Sequence, residues 1–184
     1  FAPDSTRVAY VRNNDLYMED LRTDVITRLT HDGSDKVVNG TFDWVYEEEF
    51  SITKAFEWSP QGTKIAFLKF DESKVKDFTM DYYHGEIYPN QYTFKYPKAG
   101  EDNSKLSLHI HELSSNKTIE IDRGEFEYVP RMKWTTDDNK LVYLSLNRHQ
   151  NHLVYAYAEF DDTGKKGGII HQDQSETYVE IDDN

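Results

Sequence analysis

Three consecutive glutamates, Glu47 to Glu49, form a dense group of side chains that are able to do chemistry. Neighbouring carboxylates repel one another, and a bound cation relieves that repulsion. The α-amino group of a peptide is a compact cation with three N–H donors, so two carboxylates held side by side can bind it through short, charge-assisted hydrogen bonds. A run of charged residues, however, is most often a solvated surface. The residue types therefore leave two interpretations open, an ammonium site and an ordinary acidic face.

The residues around the glutamates predict that they are held in place. Asp43 is a residue type that favours the N-cap of a helix. Trp44, Val45, Tyr46 and Phe50 are apolar or aromatic and would anchor the segment to a core. We therefore predict a short helical turn with the three glutamates near its start, where the helix dipole partly offsets their repulsion.

A repeat in the chain predicts the elements that must position this turn. Residues 1–10, 58–67 and 134–143 each combine an aromatic residue, a polar turn, a basic residue and a short apolar run. Each copy is followed by a segment in which apolar and polar residues alternate, which indicates strands with one buried face. Repeated antiparallel meanders are typical of β-propeller blades. The repeated opening favours a propeller over a β-sandwich, which also has many short strands.

We therefore predict an all-β fold, a single partial β-propeller domain over residues 1–184 with about three antiparallel blades. The blade-like units cover residues 1–33, 57–123 and 131–172, and their first strands begin near Arg7, Lys64 and Lys140. The spacing exceeds the ~40–50 residues of a plain blade, which indicates insertions. The insertion at 34–56 contains the short helix, and the insertion at 71–104 is predicted to form an extended hairpin arm. Since closed propellers have about 4–8 blades, we expect the chain to be part of a longer protein.

Composition excludes several classes of function. The 34 acidic and 21 basic residues give a net charge of −13, which disfavours nucleic acid as a partner. The absence of cysteine excludes disulfides, thiolate catalysis and cysteine-based zinc sites. No apolar run approaches the ~20 residues of a membrane-spanning helix. His109 and His111 alternate on a predicted strand and share a face, but no third ligand is evident, so we expect no metal and no cofactor.

An ordered set of motifs resembles the dipeptidyl peptidase IV family of prolyl oligopeptidase-like serine peptidases, and specifically its N-terminal β-propeller domain. The motifs are Asp43–Phe50, with its double glutamate, Trp58–Phe67, Phe70–Ser73 and Tyr96–Gly100, and the opening residues Arg7–Tyr17 fit as well. The resemblance is strong over residues 1–113 and diffuse over 114–184.

The resemblance implies a role for two of the three glutamates. In the family, the second and third glutamates bind the N-terminal ammonium of a peptide substrate, and these match Glu48 and Glu49. Glu47 matches the first glutamate and is not assigned to the amine. The implied function is the substrate-binding and gating part of a serine exopeptidase that releases Xaa-Pro or Xaa-Ala dipeptides. Its partners would be peptides with a free N-terminus.

The resemblance also implies what lies elsewhere. The family's carbonyl-binding arginine lies upstream of the region that matches Phe1, and its Ser-His-Asp triad lies on a C-terminal α/β-hydrolase domain. Since the sequence has no Gly-x-Ser-x-Gly motif, we expect no catalytic residue in this chain and no activity of the chain alone.

The remaining expectations concern assembly and location. Seven aromatic residues lie between positions 78 and 96, and in the family this insertion contributes to a homodimer, so we expect such a contact through residues 71–104. We expect a bacterial protein that is periplasmic, secreted or displayed on the cell surface. Two alternatives stay open, a non-enzymatic binding propeller from an inactive relative and a prolyl tripeptidyl peptidase.

Overall fold

The computed structural model describes residues 1–161 and 164–181, and nearly half of these residues lie in antiparallel strands. The strands are β1 Arg7–Arg12, β2 Asp15–Asp20, β3 Val25–Arg28, β4 Val37–Asn39, β5 Phe56–Trp58, β6 Lys64–Asp71, β7 Asp77–Tyr82, β8 Asn90–Lys95, β9 Lys105–Glu112, β10 Lys117–Ile121, β11 Met132–Trp134, β12 Lys140–Leu146, β13 His152–Asp161 and β14 Gly164–Gln174. The helix α1 covers Trp44–Glu48. The helix α1 is a single turn. In the described ranges, no helix is long and apolar enough to cross a membrane.

Three sheets follow one another along the chain as blades. Blade 1 has the strand order β1-β2-β3, and blade 3 has the order β11-β12-β13-β14. Blade 2 has the order β10-β9-β6-β4, with β5 also paired to β6. The predicted all-β fold with about three antiparallel blades is thus confirmed, and the strands β1, β6 and β12 begin at Arg7, Lys64 and Lys140. Residues 162 and 163 of the predicted third unit lie outside the described residues.

Blade 2 holds the other two blades together through its two faces. Alternation along β6 turns Ile65 and Phe67 toward blade 1, where they join a buried cluster with Leu16. The opposite face carries Leu68 and Phe70 into a larger core that includes residues of blade 3. Because residues of a strand alternate between the two faces of a sheet, the consecutive apolar residues 65–68 of β6 bury both of its faces.

Short strands complete the sheet edges. Sequence reasoning missed β4, β5 and β11, each of which has three residues and is too short for an alternating pattern to be recognised. Two of them, β4 and β5, lie on either side of α1 in the chain and both pair with β6. The segment that carries α1 therefore begins after β4 and ends before β5, two strands that both pair with β6 of blade 2.

The residues between β6 and β9 form the predicted hairpin arm. Strands β7 and β8 pair as a separate two-stranded sheet, with Phe78 opposite Phe94. At the base of the arm the ring of Tyr96 lies 5.4 Å from that of Phe78 and 4.3 Å from that of Trp44. Toward the tip, Ile87 and Tyr88 are more than four-fifths exposed. Rings also contact one another along the hairpin, but the arm packs on the rest of the chain at its base.

Candidate functional site

The helix α1 begins at a buried carboxylate. Asp43 is the N-cap, and its side chain accepts a hydrogen bond from the backbone N–H of Tyr46 at 2.9 Å, as predicted from its residue type. Its second oxygen accepts from the hydroxyl of Ser104, next to the start of β9. Burial raises the pKa of the Asp43 carboxyl above its ordinary value, while these two donors oppose the rise. The start of the helix is thus tied to the base of the arm.

Two aromatic side chains fix α1 to the core. Tyr46 is 2% exposed, and its ring packs edge to face on Phe50 and Phe70 at centroid distances of 5.2 Å and 4.8 Å. Its hydroxyl accepts a hydrogen bond from the backbone N–H of Val129 at 2.7 Å, in the segment that leads to blade 3. The carbonyl oxygen of Phe50 accepts from Arg131 at 2.9 Å. The helix is therefore clamped between blades 2 and 3.

The three glutamates lie on the solvent side of this anchor. All three are exposed, whereas the neighbouring Tyr46 and Phe50 are buried. Because Phe50 must reach the core, the helix ends after one turn: Ser51 takes a left-handed φ of 54°, and the N–H of Ile52 donates to the carbonyl of Tyr46 at 3.0 Å.

This early ending corrects one expectation. Glu47 lies in the first turn, as predicted, but Glu48 is the last helical residue and Glu49 is the C-cap, so the prediction that all three lie near the helix start is wrong. The C-terminal end of a helix carries exposed carbonyls and partial negative charge. The backbone at Glu48 and Glu49 therefore does not offset the negative charge of their side chains, as the start of a helix would.

Blade 3 contributes a residue that sequence reasoning missed. The side-chain amide of Gln150 donates from Nε2 to Oε1 of Glu49 at 2.8 Å. Gln150 lies in the connection between β12 and β13, and no local pattern indicates a contact between residues 101 positions apart. Among the described residues, none of the ion pairs involves Glu47, Glu48 or Glu49.

A neighbouring carboxylate has a different environment. Glu127 accepts from Arg148 at 3.3 Å and from the side-chain amide of Asn103 at 2.9 Å. The same amide donates to the hydroxyl of Tyr128 at 2.7 Å. The charge of Glu127 is thus compensated by a guanidinium, unlike that of Glu49, which meets a neutral amide.

The two strand histidines are packing residues with hydroxyl partners. His109 stacks on Phe67 at 5.3 Å and lies 2.8 Å from the hydroxyl of Ser107, while the ring of His111 is 2.9 Å from the hydroxyl of Thr118. Burial lowers the pKa of both imidazoles. Within the part of the chain that the structure describes, no group of three or more potential ligands is arranged to hold a metal ion.

The antiparallel blades, with the short acidic helix packed between two of them, define a propeller-type domain that exposes a group of three carboxylates. The chain matches the family described as the dipeptidyl peptidase IV N-terminal region over residues 1–184. Dipeptidyl aminopeptidase B of Saccharomyces cerevisiae is 42% identical over 124 residues, which are 65% of this chain and 15% of that protein. A probable dipeptidyl-aminopeptidase B of Talaromyces marneffei is 34% identical over 190 residues, which are 94% of this chain and 21% of that protein.

A solved structure of a relative has the same fold. The crystal structure of Porphyromonas gingivalis dipeptidyl peptidase 4 matches with a TM-score of 0.88 at 37% identity, over 97% of this chain and 26% of that chain. The chain belongs to the dipeptidyl peptidase IV family, as part of its N-terminal region. The resemblance drawn from the sequence motifs is therefore confirmed. The chain spans about a sixth to a quarter of the length of these relatives.

Proposed function

We propose that this chain is the substrate-binding part of a dipeptidyl peptidase, and that Glu48 and Glu49 bind the N-terminal ammonium of the peptide. One observation carries the proposal: both carboxylates are exposed at the C-terminal end of a helical turn whose other side is buried. Within the described residues they have no cationic partner, so a charged ligand is what would complete them. Family membership supports the same role, because the double glutamate matches the motif of the family.

The two glutamates would determine which peptide bond of the substrate is cleaved. Two fixed carboxylates hold the amine at one place, so only the peptide bond that lies two residues along reaches the nucleophile. Positioning of this kind contributes several kcal/mol to lowering a reaction barrier. In this proposal the nucleophile is a serine on a C-terminal hydrolase domain outside this chain, and the substrates are Xaa-Pro and Xaa-Ala peptides. The full protein would act in the periplasm or outside the cell.

The arm is proposed to contact a second subunit. Its tip exposes Tyr83, Ile87 and Tyr88 at 63%, 88% and 83%. Aromatic residues are enriched at protein interfaces, and an exposed apolar group of this size is costly in water. A homodimer through residues 71–104 would bury it.

Kinetics of the full-length protein test the ammonium site. Glu48→Gln and Glu49→Gln should each lower kcat/KM for a free Xaa-Pro substrate by roughly 30- to 1000-fold, because a desolvated ammonium loses a charged hydrogen bond. Glu47→Gln is the matched control and should have a much smaller effect. The wild type should refuse the N-acetylated substrate, which has no cation. Equal and small effects at all three positions would reduce the triplet to an acidic surface.

A further inference from the structure

A single side chain outside blade 2 holds one of the two proposed ammonium ligands. The amide of Gln150 donates to Glu49 at 2.8 Å. A carboxylate can only accept, so the amide must turn its NH2 group toward Glu49 and its oxygen inward. That oxygen is buried and accepts no hydrogen bond from the described residues. The orientation of Gln150 is therefore set by Glu49 and not by a partner for its own oxygen.

The backbone of Gln150 is held in an uncommon conformation. Its φ is 54°, in the left-handed region that residues other than glycine rarely adopt. Asn147 fixes the turn, since its carbonyl accepts from the N–H of Gln150 at 2.9 Å and its side-chain oxygen accepts from the N–H groups of Asn151 and His152 at 3.0 Å. The carbonyl of Gln150 accepts from Val179 at 2.9 Å. These hydrogen bonds fix the backbone from which the Gln150 side chain reaches Glu49.

The chemistry of the partner matters as much as its position. A neutral amide orients a carboxylate and leaves its full negative charge, whereas a guanidinium or an ammonium would cancel that charge. The same connection carries Arg148, which compensates Glu127 at 3.3 Å. One turn thus gives Glu127 a cationic partner and Glu49 a neutral one.

We infer that Gln150 is a positioning residue for substrate binding. It fixes the carboxylate of Glu49 for the incoming ammonium without competing for it. The inference rests on the proposed role of Glu49 in binding the substrate amine, and it adds that the ammonium site is built from blades 2 and 3 together.

A variant series in the full-length peptidase tests this inference with free Xaa-Pro substrates. Gln150→Ala should raise KM about 3- to 10-fold with kcat changed by less than about 2-fold, because it removes binding and not a transition-state contact. Gln150→Lys should raise KM further, because the lysine would pair with Glu49 and compete with the substrate ammonium. The same ion pair would not weaken the folded state, so a rise in KM could not be attributed to unfolding. His149→Ala, on the same turn and exposed, is the matched control and should leave both constants within about 2-fold of the wild type.

A double-mutant cycle separates positioning from support of the fold. In the Glu49→Gln background, Gln150→Ala should cause almost no further rise in KM, because the group that it orients is no longer a carboxylate. The same rise in both backgrounds, a wild-type KM for Gln150→Lys, or an equal rise for His149→Ala would each overturn the inference. A normal kcat/KM for Glu49→Gln alone would instead contradict the proposed function on which the inference rests.

Discussion

Two segments that leave blade 2, the one that carries α1 and the hairpin arm, are both rich in aromatic residues but differ in how deeply these residues are buried. The segment that carries α1 buries its aromatic residues, with Tyr46 at 2% and Phe50 at 3% exposed. The tip of the arm exposes them, with Tyr88 at 83%. Both segments also contain acidic residues. Composition alone therefore does not distinguish an anchored segment from a projecting one.

The difference indicates two kinds of function. A short helix clamped on its apolar side can hold charged groups at a fixed place, which recognition of a small cation requires. A hairpin that packs on the rest of the chain only at its base presents apolar area that a protein partner can cover. The contact between Trp44 and Tyr96 joins the two segments at their bases.

The largest expected effect breaks the anchor. Tyr46→Ala should lower the free energy of unfolding by about 3–5 kcal/mol, because it leaves a cavity and an unpaired N–H at Val129. Tyr88→Ala, the same change at the arm tip, should shift stability by less than about 0.5 kcal/mol. Chemical unfolding of the wild type and of the two variants measures both changes in stability. Similar losses for the two variants would contradict the contrast between a buried and a projecting segment.

The next prediction concerns the arm. Deleting residues 75–95 from the full-length protein should shift its mass from dimer to monomer in light scattering, because the proposed contact surface is removed. Replacing Tyr83, Ile87 and Tyr88 by Ser keeps the hairpin and should have the same effect. A dimer that survives both changes would place the subunit contact elsewhere.

A smaller effect is expected where the two segments meet. Glu72 follows β6 and is 8% exposed; burial, reinforced by the negative charge of Asp43, raises its pKa to about 7. The folded state thus binds the proton more tightly than the unfolded state, whose carboxyl has a pKa of 4.5. The stability that this proton contributes is complete below the unfolded pKa and is lost as the pH rises through about 7.

The variant Glu72→Gln resembles the protonated form at every pH. It should match the wild type at acidic pH and exceed its stability by on the order of 2 kcal/mol above pH 8. Melting temperatures across this range provide the measurement, with the exposed Glu86→Gln of the arm as control. A constant difference between Glu72→Gln and the wild type would show that Glu72 does not titrate in this range.

The sequence predicted those features of the fold that depend on neighbouring residues, such as the starts of strands and of the helix. The repeated pattern of an aromatic residue, a polar turn, a basic residue and an apolar run placed the first residues of β6 and β12, and the residue type of Asp43 predicted the N-cap. The helix end was missed, because it depends on Phe50 reaching a core built by distant strands. The contact between Glu49 and Gln150 was missed for the same reason, since only the packing of blade 3 on blade 2 brings it about.

The most direct test of the ammonium site is a crystal structure of the full-length protein, with its nucleophile replaced, in complex with an uncleaved Xaa-Pro peptide. We predict that the peptide nitrogen lies within about 2.7–3.2 Å of carboxylate oxygens of both Glu48 and Glu49. Glu49 should keep its hydrogen bond to Gln150 in the complex. A peptide amine bound elsewhere, with Glu48 and Glu49 still facing solvent, would contradict the account.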